Sequence, residues 1–457
     1  MRELEQQRAE QIFQSCREEM IQTICRLVSI DSTRGEANPD APYGFGPAQA
    51  LETLLEQARK LGFRVKNYQG YVGAVDFGPE EPGLDILNHL DVVPGGEGWT
   101  ITQPFQPLVL DGRIYGRGAA DNKGPAVTVL YALYALASAG VRPRKRVRLL
   151  WGCAEETGAE DILHYYAQEP YAPMTLSPDA AFPVISSEKG RIECHFSCPL
   201  SEGFLKVLQG GATANAVPSS AWARLRDWNL ENLRQAQGAI EEMTGTTFTF
   251  QQEGEDVVIC AHGKGAHAAS PAKGCNALTA LLRLLVAVGQ SLPQPIKALA
   301  HIFPPNGPLP GISWREGMTA TLSMLSLEAG RLQGVCDLRF SPGSSLEEIK
   351  TELFGILEAN GFQVDPQTRA SDAHSVPEDS DFVKKLLRCY EAENGPSPGC
   401  RAIAGNTYAH GIPGAVAFGF AHPDIRTNTH GPDEYVSLEQ LEFGGRVYLR
   451  TIQALCG

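Results

Sequence analysis

Two apolar runs, Leu84-Asp85-Ile86-Leu87-Asn88 and Val147-Arg148-Leu149-Leu150-Trp151-Gly152-Cys153, have the length and composition of buried strands. Between them Val127, Leu130, Tyr131 and Tyr134 recur at i, i+3, i+4 and i+7, which predicts a helix whose first turn holds Pro125. Strand, helix and strand in that order predict an α/β sheet with crossover helices. Open sheets of this kind place their ligand cleft at the carboxyl ends of the strands. Glu3, Glu5, Glu10, Glu18 and Glu19, set among apolar positions, predict an amphipathic N-terminal helix and no export signal. Near the other end, a strand at Gly414 to Gly419 and a capping-box helix start at Ser437 to Gln440 predict a return of the chain to the same sheet.

A long segment separates these parts. At 457 residues the chain exceeds one comfortable core, so two domains are expected. The predicted division is a first catalytic segment over 1–187, an inserted domain over 188–376 and a second catalytic segment over 377–457. An insert tethered at both ends is able to hinge. Residues 402–421 are nearly uncharged, but Gly405, Gly411, Pro413, Gly414 and Gly419 break the run, which reads as buried loop and strand and not as a membrane span.

Charge and cysteine content narrow the setting. A net charge of −14 weighs against nucleic acid or an anionic membrane as partner. Eleven scattered cysteines without a Cys-x-x-Cys pair point to reduced thiols in a cytoplasmic protein. Cys194-His195-x-x-Cys198 has no distant partner pair and reads as a strand of mixed core residues.

Candidate chemistry gathers at the predicted strand ends. Glu155 and Glu156 follow the second run directly, and adjacent carboxylates at the mouth of a buried strand repel each other unless a cation lies between them. Such a pair permits one glutamate to ligate a metal while its neighbour takes a proton from a water. His89 and Asp91 follow the first run two residues apart, as a ligating imidazole and the carboxylate that orients it would be, or as a core histidine beside a turn aspartate. Asp121 lies in the glycine-rich turn Gly116 to Pro125, where it is an N-cap or a group placed in a cleft; the turn is no phosphate loop, because no Gly-Lys-Ser/Thr follows. Asp179, in Ser177-Pro178-Asp179-Ala180, and His430, in Thr429-His430-Gly431-Pro432, bring the set to two histidines and three carboxylate ligands. That is enough for two metal ions if one carboxylate bridges them.

The ordered series His89-x-Asp91, Gly-Arg-Gly-x-x-Asp121-x-Lys-Gly, Glu155-Glu156, Ser-Pro-Asp179-Ala-x-Phe-Pro-Val and His430 resembles the M20 family of dinuclear metallopeptidases, in its branch of PepV-like bacterial dipeptidases. The resemblance implies a zinc-exopeptidase-like α/β catalytic domain with a mostly parallel sheet, interrupted by an α+β lid that is internally duplicated. It implies two divalent cations per chain, Zn2+ or else Mn2+ or Co2+. His89 and Asp179 would hold one, Glu156 and His430 the other, and Asp121 would bridge. Glu155 becomes the general base and Asp91 the group that orients His89. His267, in Gly265-Ala266-His267-Ala268, resembles the lid histidine that binds the oxyanion. Asn215 and Arg339 resemble residues that hold the substrate, Arg339 by its carboxylate, to which a guanidinium fork is suited.

One segment departs from the pattern. Where those dipeptidases read Gly-Gly-Gly-Thr-Tyr-Ala-Arg, this chain has Ala404-Gly405-Asn406-Thr407-Tyr408-Ala409-His410, so Thr407 and His410 stand at expected substrate contacts with an imidazole in place of a guanidinium. The function implied is hydrolysis of unblocked dipeptides by a monomer whose lid histidine acts in its own chain. N-acyl amino acid deacylation, or metal-containing peptide binding without catalysis, are the alternatives.

Overall fold

The computed structural model describes residues 2–200, 203–289, 292–305, 307–366 and 368–457. The chain forms two compact units, one from residues 1–187 with 375–457 and one from residues 188–374. The second crossover thus falls at His374 and Ser375, two residues ahead of the expected boundary after Val376.

The first unit opens with two helices, α1 (Arg2–Ser15) and α2 (Arg17–Val28), where one was expected. They are followed by α3 (Phe45–Lys60) and the strands β1 (Arg64–Tyr68), β2 (Val72–Phe77) and β3 (Pro82–His89). A hairpin of β4 (Leu108–Leu110) and β5 (Arg113–Tyr115) leads to α4 (Lys123–Ser138), β6 (Arg146–Gly152), α5 (Glu160–Tyr166) and β7 (Met174–Ser177). The main sheet runs β1-β2-β6-β3-β7, then Val416–Ala417 and Val184–Glu188. Its centre is parallel: β6, β3, β7 and Val416–Ala417 point one way, and at one side β2 runs antiparallel to both β6 and β1.

Helix α4 is buried almost all round, from Lys123 to Leu133, which explains its lack of a polar face. It packs against α1, α2, β3 and the last helix, Leu438–Cys456. Each fully buried Leu or Val in this layer contributes about 1.5–3 kcal/mol. One charged pair crosses the centre of the sheet. Asp85 and Arg148 are register partners in β3 and β6, and the guanidinium donates from Nε and Nη2 to the two carboxylate oxygens at 2.6 Å each. A bidentate pair fixes the β3–β6 register more than it adds stability, because both ions were stripped of water to make it. That register sets His89 level with Gly152.

The second unit is one antiparallel sheet in the order 247–253, 256–262, 220–226, 205–210, 319–328, 331–340, 190–199, 363–364. Its halves meet at Gln209 with Ser326 and Gly210 with Leu325. Helices Leu230–Thr244 and Ala277–Val288 cover the first half and Leu346–Ala359 the second, over a shared apolar core. In the strand Gly190–Pro199, Ile192, Cys194, Phe196 and Cys198 point into that core while His195 faces outward. Strand alternation therefore separates His195 from both cysteines. No helix among the described residues is long and apolar enough to cross a membrane.

Candidate active site

At the carboxyl ends of β3, β6 and β7 the chain leaves the sheet in three turns, and these turns carry the chemistry. Beyond β3, His89 is fully buried and its Nδ1 bonds the Asp91 main-chain oxygen at 2.9 Å, with the Asp91 carboxylate at 3.4 Å. A ring nitrogen held in this way leaves Nε2 to face the site. Beyond β6, Glu155–Thr157 form a single 3-10 turn. The Asp91 carboxylate accepts from the backbone N–H groups of both Glu155 and Glu156, at 3.1 Å each, so this residue serves the glutamates as well as the histidine.

Asp121 stands at the centre. Its Oδ1 lies 2.9 Å from His89 Nε2 and its Oδ2 3.1 Å from His430 Nε2, so the two oxygens of one carboxylate address two different imidazoles. His430 Nε2 also meets Glu156 at 3.0 Å, and His89 Nε2 meets Asp179 at 3.6 Å. Ligand-type atoms of His89, Asp121 and Glu156 lie within 4.8 Å of one another, as do those of His89, Glu155 and Asp179. Asp121 is not the N-cap of α4; Asn122 takes that position, and its side-chain amide donates to Pro178 O at 2.8 Å and to Asp179 Oδ1 at 3.0 Å. His430 itself has a left-handed backbone at φ 63°, costly for a residue with a Cβ and of a kind that clusters at functional sites.

The electrostatics are those of a place short of positive charge. Burial, then the charge of Asp179, pushes the Glu155 carboxyl well above its usual range. Burial likewise raises Glu156 and lifts Asp179 to about 7. His430 is raised to about 11 by its bonds to Asp121 and Glu156. Burial opposes charge on His89 and on Asp121, yet their partners prevail: the histidine is held well above its ordinary value and the aspartate well below. Four carboxylates against two imidazoles would be balanced by two divalent cations with both rings neutral. The oxygen and nitrogen donors fit such ions.

Several residues that the sequence did not single out hold these groups in place. Asp161, fully buried in the first turn of α5, accepts from the N–H groups of Cys153 at 2.5 Å and Ala154 at 2.8 Å. Together with Asp91 it takes four successive N–H groups, those of residues 153–156. Tyr408 donates to the same Asp161 oxygen at 2.5 Å and meets the His89 ring edge-on. A Cβ at Gly152 would lie 1.9 Å from the Tyr408 hydroxyl oxygen, so only glycine fits there. Lys123, buried, donates to Leu27 O and Ile30 O at 3.0 and 2.9 Å, where the amine holds the carbonyl end of α2. Of the expected substrate contacts in this unit, Thr407 caps the turn Tyr408–Gly411 that carries His410.

The remaining predicted residues belong to the second unit. Ala216–Val217 pairs with Ala266–His267, and Ala268 N donates to Asn215 O at 2.8 Å, which brings Asn215 and His267 together in one small ribbon. Ala269 N donates to His267 Nδ1 at 3.1 Å, so the neutral ring carries its hydrogen on Nε2. Arg339 is buried and held by Asp337, which takes its Nε at 2.9 Å and also receives Arg191 at 2.6 Å.

The sequence profile described as Peptidase family M20/M25/M40 matches residues 86–454. The Beta-Ala-Xaa dipeptidase of Lactobacillus delbrueckii subsp. lactis is 30% identical over 470 residues, covering 97% of each chain. Among solved structures, human carnosine dipeptidase 1 matches with a TM-score of 0.60 and 15% identity over 98% of each chain. The di-peptidase Dug1p from Saccharomyces cerevisiae matches with a TM-score of 0.61 and 13% identity, again over 98% of each. These two likenesses speak for the fold alone. With the profile covering every ligand candidate and the whole insert, the chain belongs to peptidase family M20/M25/M40.

Proposed function

We propose that this chain hydrolyses the peptide bond of unblocked dipeptides, with residues 1–187 and 375–457 as the catalytic part and 188–374 as the lid. The observation that carries the reading is Asp121, whose two oxygens face separate imidazoles as a bridging carboxylate's must. His89 with Asp179 would hold one cation and Glu156 with His430 the other. Two such ions supply Lewis-acid polarisation of the scissile carbonyl and a water of lowered pKa. Zinc suits two imidazoles among carboxylates, and manganese or cobalt is the alternative.

Glu155 is the proton carrier. It neighbours the proposed ligand Glu156 and has a ligand-type oxygen within 4.8 Å of those of His89 and Asp179, a place from which a base can take the proton of the attacking water and then return it to the leaving amine. The C–N bond breaks as that amine is protonated, and a carboxylate and a free amine leave. His267 Nε2–H would donate to the oxyanion, beside Asn215. Arg339, steadied by Asp337, would read the substrate carboxylate one residue beyond the scissile bond. Thr407 and His410 would border the same substrate.

A monomer is the proposed working form, since an insert of this length offers two α+β halves and a lid histidine in the same chain. Eleven free thiols among the described residues suit a reducing, cytoplasmic setting. The test sets dipeptides beside N-acyl amino acids, with zinc, manganese and cobalt each supplied. Dipeptide turnover with one of these metals is the expected result; turnover of acyl amino acids alone would overturn the reading.

A further inference from the structure

The carboxylate of Glu434 lies at the crossing of the two segments that bring Asp121 and His430 together. Its residue has no solvent exposure. Strand Tyr435–Ser437 pairs with β5, Tyr435 opposite Tyr115, and this pairing lays Glu434 across the turn that runs from Gly116 to Asp121. Gly116 N donates to the Glu434 main-chain oxygen at 2.9 Å. Three further N–H groups of the turn converge on one side-chain oxygen: Gly118 at 3.0 Å, Ala120 at 3.1 Å and Asp121 itself at 3.3 Å from Oε1. The other oxygen receives Arg117 Nη1 at 2.5 Å. That arginine is itself buried, lies against the Trp99 ring and points Nη2 at Gly95 O, 3.3 Å away.

Neither helix nor sheet supplies an acceptor for these turn amides, and a buried N–H without one costs about 1–3 kcal/mol. Gly118 has a positive φ of 86°, a conformation the turn needs to aim its amide inward with its neighbours. The last donor in the row is the backbone of the aspartate whose two oxygens face His89 and His430. Fixing that N–H fixes the Cα from which the Asp121 carboxylate hangs. Glu434 is also four residues from His430 in the same segment.

We infer that Glu434 is a positioning residue for the whole dinuclear site, holding the Asp121 turn and the His430 segment in one arrangement so that both cations depend on it together. The inference rests on the proposed bridging role of Asp121. It differs from the role of a ligand such as Glu156, whose loss would weaken one position first, and from a purely structural role, which would lower stability and leave cation affinity alone. Loss of a partner that supports a ligand weakens metal binding by about 10–100-fold.

The test is titration of chelator-stripped chains with Co2+, read by its d–d absorption, with stoichiometry from native mass spectrometry. Wild type is expected to take two Co2+ per chain. Glu434→Gln keeps one oxygen for the turn but gives up the charge and opposes an amide to Arg117; both binding steps should need about 10–100-fold more free Co2+. The melting temperature of the metal-free chains is measured in parallel. If Glu434→Gln does not fold, Glu434→Asp takes its place, since a shorter arm withdraws the carboxylate from the turn while keeping its charge. A Co2+ curve identical to wild type, or one in which a single step moves, overturns the inference even if the melting temperature falls. Wild type that binds no Co2+ removes instead the bridging reading beneath it.

Discussion

Replacing Asp161 by asparagine separates two things that this carboxylate does. Burial, and then the charge of Asp91, raises its pKa from 3.8 to about 6. With each pKa unit equivalent to about 1.4 kcal/mol, the charged form is disfavoured in the fold by ~3 kcal/mol. The sign follows from proton counting. Well below pH 3.8 folded and unfolded chains both hold the proton and nothing is lost. As pH rises through 6 the unfolded chain has already released it, so the fold loses those ~3 kcal/mol and does not regain them above. Asparagine removes that slope. It also has one oxygen where aspartate has two: Oδ2 serves Cys153 N, Ala154 N and Tyr408, while Oδ1 serves Ile162 N at 2.8 Å, so the amide would confront one N–H at a cost of about 1–3 kcal/mol.

Asp161→Asn is therefore expected to be less stable than wild type at pH 4 and close to it at pH 7. The measurement is the difference in melting temperature between chelator-treated wild type and variant from pH 4 to 7.5, in which titrations common to both cancel. At about 2 °C per kcal/mol for a unit of this size, the gap should close by roughly 6 °C. Turnover moves the other way, because residues 153 and 154 lead directly into Glu155 and a misplacement of 1 Å can cost on the order of a hundred-fold. A melting difference that ignores pH would refute the reasoning about burial, and unchanged kcat would refute the positioning.

Glu155→Gln should keep two cations per chain yet lower kcat about 100-fold or more, by loss of general-base assistance; full activity would remove Glu155 from the mechanism. Arg339→Ala should raise KM and lower kcat for free dipeptides, and equal wild-type turnover of dipeptides and their C-terminal amides would count against a carboxylate contact. Cation uptake at pH 7 should release protons, since His430, raised to about 11, and Asp179, near 7, must lose theirs to ligate. Apparent affinity then falls as pH falls, and calorimetry in buffers of different ionisation enthalpy showing no release would contradict this. Mixing His267→Ala with Glu155→Ala chains should restore nothing if each site is built within one chain; recovered activity would show a shared site.

How much of this was legible in the sequence depended on what each residue's neighbours could reveal. The buried strands β3 and β6 and helix α4 were visible because apolar runs and 3.6-residue spacing report burial directly. His89, Asp121, Glu155, Glu156, Asp179 and His430 were visible because motif order survives where geometry is hidden, and the structure gathers all six at the strand ends. Asp161 and Glu434 were not. Each sits beside another acid, Glu160 and Asp433, in a stretch that reads as an exposed helix start or turn. Their burial arises from chain segments far away in sequence, Tyr408 for one and the Gly116–Asp121 turn for the other. Asn122 lay inside a turn already singled out, but its reach to Asp179 needs the third dimension. The break between α1 and α2 likewise has no glycine or proline to mark it.

Asp91, Asp161 and Glu434 answer one physical problem. Groups that must converge at a sheet end have to ride on turns, and a turn's N–H groups have no ladder or helix to receive them. Water could serve, but a turn held only by water is free to move. A buried carboxylate is the strongest remaining acceptor, since its two oxygens take several charge-assisted bonds at once. Here eight backbone N–H groups, those of residues 118, 120, 121, 153, 154, 155, 156 and 162, end on three such side chains. Each is stripped of water to do so, and the raised pKa of Asp161 is the visible sign of that strain. A neutral replacement at Asp161 would thus remove the cost of a buried charge above pH 6 while loosening the turn that the carboxylate grips. At Asp161 the amide is therefore expected to be tolerated in folding near pH 7 and selected against in catalysis, because the carboxylate's second acceptor oxygen is what aims residues 153 and 154 toward Glu155.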